Sequence, residues 1–315
     1  MTRKRRYAAL TMVRDEDFFL RIWHRYYAGQ FGAENLFIVD HDSQHIPPRE
    51  VVGEGPTILR LPMTNPVSDP SGSERLFDDA RFRFVSHQID ALLNYYDCVI
   101  FNDADEIFIA DAEGVSLRDY LDSLPEIGHR AGMGTEVFHD PATEPPYDPE
   151  RGIFEQRRHF RYRFLFCKPW IVAQHGREIF GHGAREGFHL DPNLVLIHMH
   201  NLDLDQLMER RKQRLQAFAE GRGGLRSRWK DHTPKARKQV QNFANLEVMP
   251  DDMPHAELLE EMFPGYREKL FDTRSYERLE GKRQIVMVEH FVTEMQKDML
   301  FYNRFRYPDR YLDKA

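Results

Sequence analysis

The order of apolar runs along this chain predicts an α/β fold, a mainly parallel sheet flanked by helices, with a helical C-terminal region. Two observations lead there. Four short apolar runs, Tyr7–Val13, residues 35–39, Thr57–Leu61 and Cys98–Phe101, are separated by segments that are helical or turn-rich in pattern, and alternating βα order implies parallel pairing. The 315 residues are 41% hydrophobic and 12% aromatic, enough to bury a large core in one big domain or one domain with an appendage.

The first run passes into a helix. Asp15, Glu16 and Asp17 place negative charge where a helix N-terminus favours it, and Phe19, Ile22, Trp23 and Tyr26 then recur at helical spacing up to Gly29 and Gly32. The second run ends in the polar turn Asp40-His-Asp-Ser43, and the third precedes a loop rich in Pro and Ser. Ser73 is placed to cap a helix whose face carries Phe77, Phe84, Val85, Ile89, Leu92 and Tyr96 and which leads to the fourth run.

A helix over 117–124 and a strand over 132–138 follow. Residues 140–148 form a loop rich in Pro and Asp, long enough for a lid and equally consistent with a surface excursion. Between residues 154 and 170, Arg157, Arg158, Arg161, Arg163 and Lys168 interleave with Phe and Tyr; one face can meet phosphates, or a strand has a solvated side. After Asp203 the spacing of Leu204, Leu207, Met208, Leu215 and Phe218 is helical, and the opposite face, with Arg210, Arg211, Lys212 and Arg214, reads as solvated. Gly221 and Gly224 mark a break. The domains expected are 1–205, carrying the chemistry, and a helical region over 206–315, with no internal repeat.

Charge and cysteine usage exclude several classes. A net charge of −7 argues against a nucleic-acid partner, which draws on a basic surface. Cys98 and Cys167 lie far apart and read as buried thiols of a reducing compartment. No apolar run approaches a membrane span, and the basic N-terminus, Thr2 to Arg6, is followed by a strand-like segment, so a cytoplasmic location is expected; peripheral membrane contact is not indicated.

The chemistry concentrates in Phe101-Asn-Asp-Ala-Asp-Glu106. Asp103 and Asp105, two apart where a buried strand ends and the chain turns, can converge on one hard divalent cation, and such a cation can hold a diphosphate. Acidic residues after a strand also occur in ordinary loops. Here Asp97 before the strand, Glu106 after the pair and the return to apolar residues at Ile107 favour a structured edge.

Three segments together resemble the glycosyltransferase family 2-like proteins of GT-A, Rossmann-like fold over roughly the first two-thirds of the chain. Met12-Val-Arg-Asp-Glu-Asp17 resembles the first family turn, Val39-Asp-His-Asp-Ser43 the second, and residues 101–106 the metal-binding DxD motif. The segments around Lys168 to Val172, Gly181 to Gly183 and Leu196 to His198 look like later family segments. His41 and Asn102 depart from the family pattern.

The resemblance implies Val13, Arg14 and Asp15 near the nucleotide base, Asp40 and Asp42 near base or ribose, and Asp103 at the ribose and metal. Asp103, Asp105 and His198 would ligate Mn2+ or Mg2+, with His182 and His200 as rivals to His198. The activity implied is metal-dependent, inverting transfer of a sugar from a UDP- or GDP-linked donor to a hydroxyl of a glycan or glycoconjugate. Asp105 is placed among the catalytic residues, and a carboxylate base is sought at Glu136 or Glu186, with Glu178 a further candidate. Two other readings stand beside it: a haloacid-dehalogenase-like phosphatase, disfavoured by Ile107 where a Thr is required, and a non-catalytic nucleotide-sugar-binding module.

Overall fold

The computed structural model describes residues 4–62, 77–219, 233–249, 255–272, 285–293 and 303–315. Ser73 and the glycines at 221–224 lie outside them. In chain order the strands and α-helices are β1 (Tyr7–Val13), α1 (Phe18–Phe31), β2 (Leu36–His41), α2 (Pro48–Val52), β3 (Thr57–Leu61), α3 (Phe77–Leu92), β4 (Cys98–Phe101) and β5 (Glu106–Ala110). They continue with α4 (Leu117–Ser123), β6 (His129–Phe138), α5 (Ile153–Gln156), β7 (His159–Tyr162), β8 (Ile171–Val172), β9 (Ile179–Phe180), β10 (Gly183–Ala184) and β11 (His189–Asn201). The last are α6 (Leu204–Ala219), α7 (Thr233–Ala244), α8 (His255–Met262) and β12 (Phe305–Arg306).

The predicted α/β class is observed. A ten-stranded sheet runs β12-β7-β6-β8-β4-β1-β2-β3, with β11 joining β6 to β5. β1 pairs in parallel with both β2 and β4, β2 pairs in parallel with β3, and Val13 stands opposite Asp40. Beyond β4 the short β8 pairs antiparallel with β4 and with β6, which restores the direction of β4 in β6. β11 is parallel to β6, and β5 runs against β11 because the chain reverses directly after β4. Consequently the C-terminal ends of β1, β2, β4, β6 and β11 share one edge of the sheet, the edge at which open α/β sheets bind ligands.

Helix α1 braces that edge. The Asp17 carboxylate caps it by accepting from Phe18 N, Glu16 accepts from Phe19 N at 3.1 Å, and Gly32 ends it with φ 92°. Its buried face carries Trp23, Tyr26 and Tyr27. Tyr26 donates to the Phe108 carbonyl at 2.6 Å, while the Tyr27 hydroxyl donates to Asn102 Oδ1 and accepts from Phe108 N at 3.0 Å. Asn102 thus has a structural role, as acceptor for a buried hydroxyl of α1.

The last residues return to the sheet. β12 pairs antiparallel with β7, Ile153 N donates to the Ala315 carbonyl at 2.7 Å, and Tyr311 donates to Asp111 at 2.8 Å. Helices α6 and α7 bury Leu207, Val240 and Phe243 against Phe138, whose ring stacks on Phe243 at 4.1 Å. Cys98 and Cys167 are both buried free thiols.

Gly134 on β6 lets the segment carrying Phe166 and Lys168 lie against the strand: a Cβ there would meet Arg163 O at 2.4 Å and Phe166 C at 2.5 Å. Both are backbone atoms that cannot swing aside. Gly134→Ala is therefore expected to cost about 1–3 kcal/mol of stability by overpacking. Urea unfolding checks it, and a loss below ~0.5 kcal/mol would contradict this packing.

Candidate active site

The turns after β1 and β2 are laced together by carboxylates. Asp15 Oδ1 accepts the backbone N–H groups of Gln44, His45 and Ile46 at 2.8, 2.7 and 3.0 Å, and Asp15 N donates to Ser43 Oγ at 3.0 Å. Asp40 Oδ1 accepts from Ser43 N at 2.8 Å. Burial opposes ionisation of Asp15, but the three N–H donors hold its carboxyl below the usual value. Asp15 and Asp42 adopt φ 47° and 61°, the left-handed region, which non-glycine residues tolerate mainly where side-chain bonds hold them. Arg60 reaches Asp42 at 3.3 Å and Asp40 at 3.9 Å, and Arg14 lies 3.9 Å from Asp15.

One strand over, Asp103 and Asp105 occupy the reversal between β4 and β5, and each is met by basic side chains from distant elements. Arg81 of α3 bonds Asp103, and the buried Lys168 lies 3.5 Å from Asp103 and bonds Glu106. Arg210 of α6 lies 3.3 Å from Asp105 and 2.8 Å from Glu16, and His200 lies 3.6 Å from Asp105. Burial works against both carboxylates. Arg81 and Lys168 nevertheless lower Asp103, and the nearby His200 together with the Arg210 charge holds Asp105 well below the usual range.

Strand pairing brings three titratable residues into one row, since His198 of β11 stands opposite Glu106 of β5 and Glu136 of β6. Its ring lies 3.9 Å from Glu106 and 3.8 Å from Glu136, and stacks on Phe166 at 3.9 Å. Glu136 is bound on both oxygens, by Arg161 at 2.6 and 2.9 Å and by Asn201 at 2.9 Å. Despite burial, Arg161 and His198 keep it below its ordinary value. His198 Nδ1 and Glu106 Oε2 are buried with no hydrogen-bond partner among the described residues.

Burial sets a pH optimum for stability. It lowers His129, His159 and His198 from 6.5 to about 4 and His182 to about 3, so below pH 6.5 the unfolded chain takes up protons that the folded chain refuses. Stability therefore falls as the pH drops. Glu106 has the opposite sign: burial, reinforced by Asp103 and Asp105 and opposed by Lys168, pushes it from 4.5 up to about 8, so its contribution is lost as the pH rises through that window. Four histidines outweigh one glutamate where the windows overlap. The thermal midpoint is expected to peak near pH 6.5, with the alkaline fall to pH 8 removed by Glu106→Gln; a wild-type midpoint that climbs steadily to pH 8 would contradict this.

Of the residues expected from the sequence, Asp103, Asp105, Glu136 and His198 meet in one cluster, and Val13, Arg14, Asp15, Asp40 and Asp42 line the adjoining turns. His41 connects the two groups, because both Arg14 and Arg81 depress its ionisation after burial has done so. Glu186 stands apart, its carboxylate accepting Glu178 N at 2.6 Å in the hairpin of β9 and β10. The solvated basic face expected for α6 is corrected at Arg210, which is only 15% exposed and turned into the cluster. Nothing in helical spacing marks that residue, because its partners lie on turns far away in sequence.

The interleaved basic stretch is likewise mostly internal. Arg157 is fully buried, Arg161 serves Glu136, and Lys168 serves Asp103 and Glu106. The 140–148 loop is pinned rather than poised as a lid: Tyr147 N donates to Asp203 at 2.8 Å, Asp140 accepts from Arg304 at 3.0 Å, and Arg157 donates to the Pro145 carbonyl at 2.9 Å. A cavity of about 370 Å³ lies at the other end of β6, lined by Glu126, His129, Arg130 and Arg177 among others, and shares no residue with the cluster.

Residue types that ligate a hard divalent cation are present: two carboxylates, Asp103 and Asp105, and the His198 imidazole, which burial keeps neutral and whose Nδ1 has no hydrogen-bond partner among the described residues. Among the described residues no group of three or more His, Cys, Asp or Glu side chains is gathered to hold a metal ion. Asp103 and Asp105 are instead paired with Arg81, Lys168 and Arg210.

No family model and no curated protein matches the chain. Among solved structures it is similar to the apo structure of the bifunctional glycosyltransferase WbbM, at 10% identity and TM-score 0.24 over 45% of this chain and 24% of that one. It is also similar to a structure described as mannose-1-phosphate geranyltransferase from Thermus thermophilus, at 12% identity and TM-score 0.26 over 96% of this chain and 73% of that one. The chain thus spans about a quarter of the first, and likenesses at these TM-scores carry no weight for its activity. Among the described residues no helix is long and apolar enough to cross a membrane.

Proposed function

We propose that the protein is a metal-dependent glycosyltransferase of GT-A type, moving a sugar from a UDP- or GDP-linked donor to a hydroxyl of a glycan or glycoconjugate in the cytoplasm, with inversion. The observation that carries this reading is the convergence at one sheet edge of the Asp103/Asp105 turn with His198 and three buried or half-buried cations. Asp103, Asp105 and His198 would hold Mn2+ or Mg2+, and a cation so held offsets negative charge on a departing nucleoside diphosphate. Val13, Arg14 and Asp15 would face the base, Asp40 and Asp42 the base or ribose, and Asp103 the ribose. The donor-binding unit would span 1–205, with 206–315 completing it through α6.

Arg81 and Lys168 would add positive charge beside the diphosphate, in a setting screened from water where such charge acts strongly. The acceptor hydroxyl needs a base, and Glu136 and Glu186 remain the proposed pair. Glu136 adjoins the cluster but has both oxygens engaged, so its role as base requires Arg161 to yield.

The test is a panel of UDP- and GDP-sugars incubated with Mn2+, reading release of nucleoside diphosphate with and without glycan acceptors. Manganese-dependent release is expected for one nucleotide class, weakened about 10²-fold or more by replacing the true base with glutamine. Tight donor binding without release or transfer across a broad acceptor panel would favour the binding-module reading instead, and hydrolysis of simple phosphate esters the phosphatase.

A further inference from the structure

We propose that the cavity at the far end of β6 is a binding site for a neutral sugar, one unit of a glycan, held by hydrogen bonds and separate from the Asp103/Asp105 cluster. The proposal does not rest on the activity proposed above. At about 370 Å³ the cavity has the size of a small-ligand site. It lies roughly 20 Å from Glu136 along β6, at ~3.3 Å per residue, too far for a sugar unit held here to meet the cluster.

The polar part of its lining is already set. Gln174 donates from Nε2 to Glu126 Oε1 at 3.3 Å and accepts on Oε1 from Arg177, so a carboxylate, an amide and a guanidinium stand in one chain. Arg130 is fixed by the carbonyls of Ile127 and Glu126 at 2.5 and 2.9 Å and by Asp191 at 3.2 Å, and His129 by the Pro169 carbonyl at 2.7 Å. Ile127 and Leu270 make another part apolar. Leu270 lies against Gly187, where a Cβ would meet its Cγ at 2.9 Å, and the bond from Phe271 N to Phe188 O at 3.0 Å ties that segment to the chain entering β11.

The charges choose the class of ligand. Glu126 and Asp272 repel a phosphate or a carboxylate, Arg130 and Arg177 repel an amine, and the Arg130 charge is already met by Asp191. An extended peptide needs a free strand edge, whereas β6 is paired here by β8 on one side and β11 on the other. An uncharged molecule rich in hydroxyls fits. Each hydroxyl both donates and accepts, and so matches neighbouring carboxylate, amide and guanidinium groups, while Ile127 and Leu270 offer apolar surface to the C–H face of a sugar ring. Arg177 Nε is buried with no hydrogen-bond partner among the described residues, a donor that native structures rarely leave unmet and that a ligand oxygen would satisfy.

The test is NMR titration of the full chain with the methyl glycosides of glucose, galactose, mannose and N-acetylglucosamine, on wild type, Gln174→Ala and Arg177→Leu. The readout is the backbone amide signals of Gly128 and Gly187, both in the cavity lining. At least one glycoside should shift the two signals saturably, with a Kd of about 1–10 mM, and inorganic phosphate and acetate should leave them unmoved. Each substitution should weaken the binding about fivefold or more by removing hydrogen bonds. Gln174 is half-buried just after β8, so Gln174→Ala carries the test should Arg177→Leu fail to fold. No glycoside moving the signals, phosphate or acetate moving them instead, or binding unchanged in the folded variants would overturn the proposal. None of these results touches the proposed function, which is read from nucleotide release.

Discussion

Asp105→Asn is expected to lower donor turnover by on the order of 10²–10³-fold while leaving the protein folded, because the substitution removes charge at the reacting edge and little volume. The fold survives because the neighbours stay paired. Arg210 keeps Glu16 at 2.8 Å, and Asp105 also serves the chain through its backbone carbonyl, which accepts from Met199 N at 2.7 Å and is untouched by the change. The measurement is release of nucleoside diphosphate from the preferred donor at saturating Mn2+. Turnover in Asp105→Asn within about threefold of wild type would remove Asp105 from the chemistry.

Arg157→Ala is expected to destabilise the protein by roughly 3–5 kcal/mol, the cost of breaking a buried charge network from one side. The side chain is wholly buried and donates to the carbonyls of Leu202, Gln156 and Pro145 at 2.7, 3.0 and 2.9 Å. Its removal orphans these acceptors. It also leaves the carboxylates of Glu144 and Asp203, each 3.7 Å away, without their nearest buried cation, and Asp203 in turn holds Tyr147 N. Arg157→Lys should recover little, since an ammonium cannot reproduce three directed bonds. Equilibrium unfolding in urea checks this, and a loss under ~1 kcal/mol would contradict the view that Arg157 ties the 140–148 loop to the sheet.

Much of the fold was legible because its signals are local. The βα alternation from Tyr7 to Phe101, the acidic start and glycine end of α1, and the helix at Leu117–Ser123 all depend on neighbours a few residues away. The antiparallel insertion of β8 between β4 and β6 was not legible, since two residues, Ile171 and Val172, carry no periodicity. The same divide runs through the site. Asp103 and Asp105 stand out as an acidic pair directly after a buried apolar run, and His198 was named only through the resemblance, beside His182 and His200, whereas Arg210, Arg81 and Lys168 look like any surface cation until the partners are known. Arg157 shows the limit most sharply: the pattern allowed a phosphate-facing or solvated arginine, and the structure buries it completely.

The most direct test of the proposed function is calorimetric titration of UDP and GDP, with and without Mn2+, into the wild type and Asp105→Ala. Nucleotide binding that requires Mn2+ in the wild type and is lost in Asp105→Ala is the expected result, and it would name the nucleotide. Binding that is equal with and without Mn2+, or no binding under any condition, would contradict the donor site proposed at the Asp103/Asp105 turn and reopen the phosphatase reading.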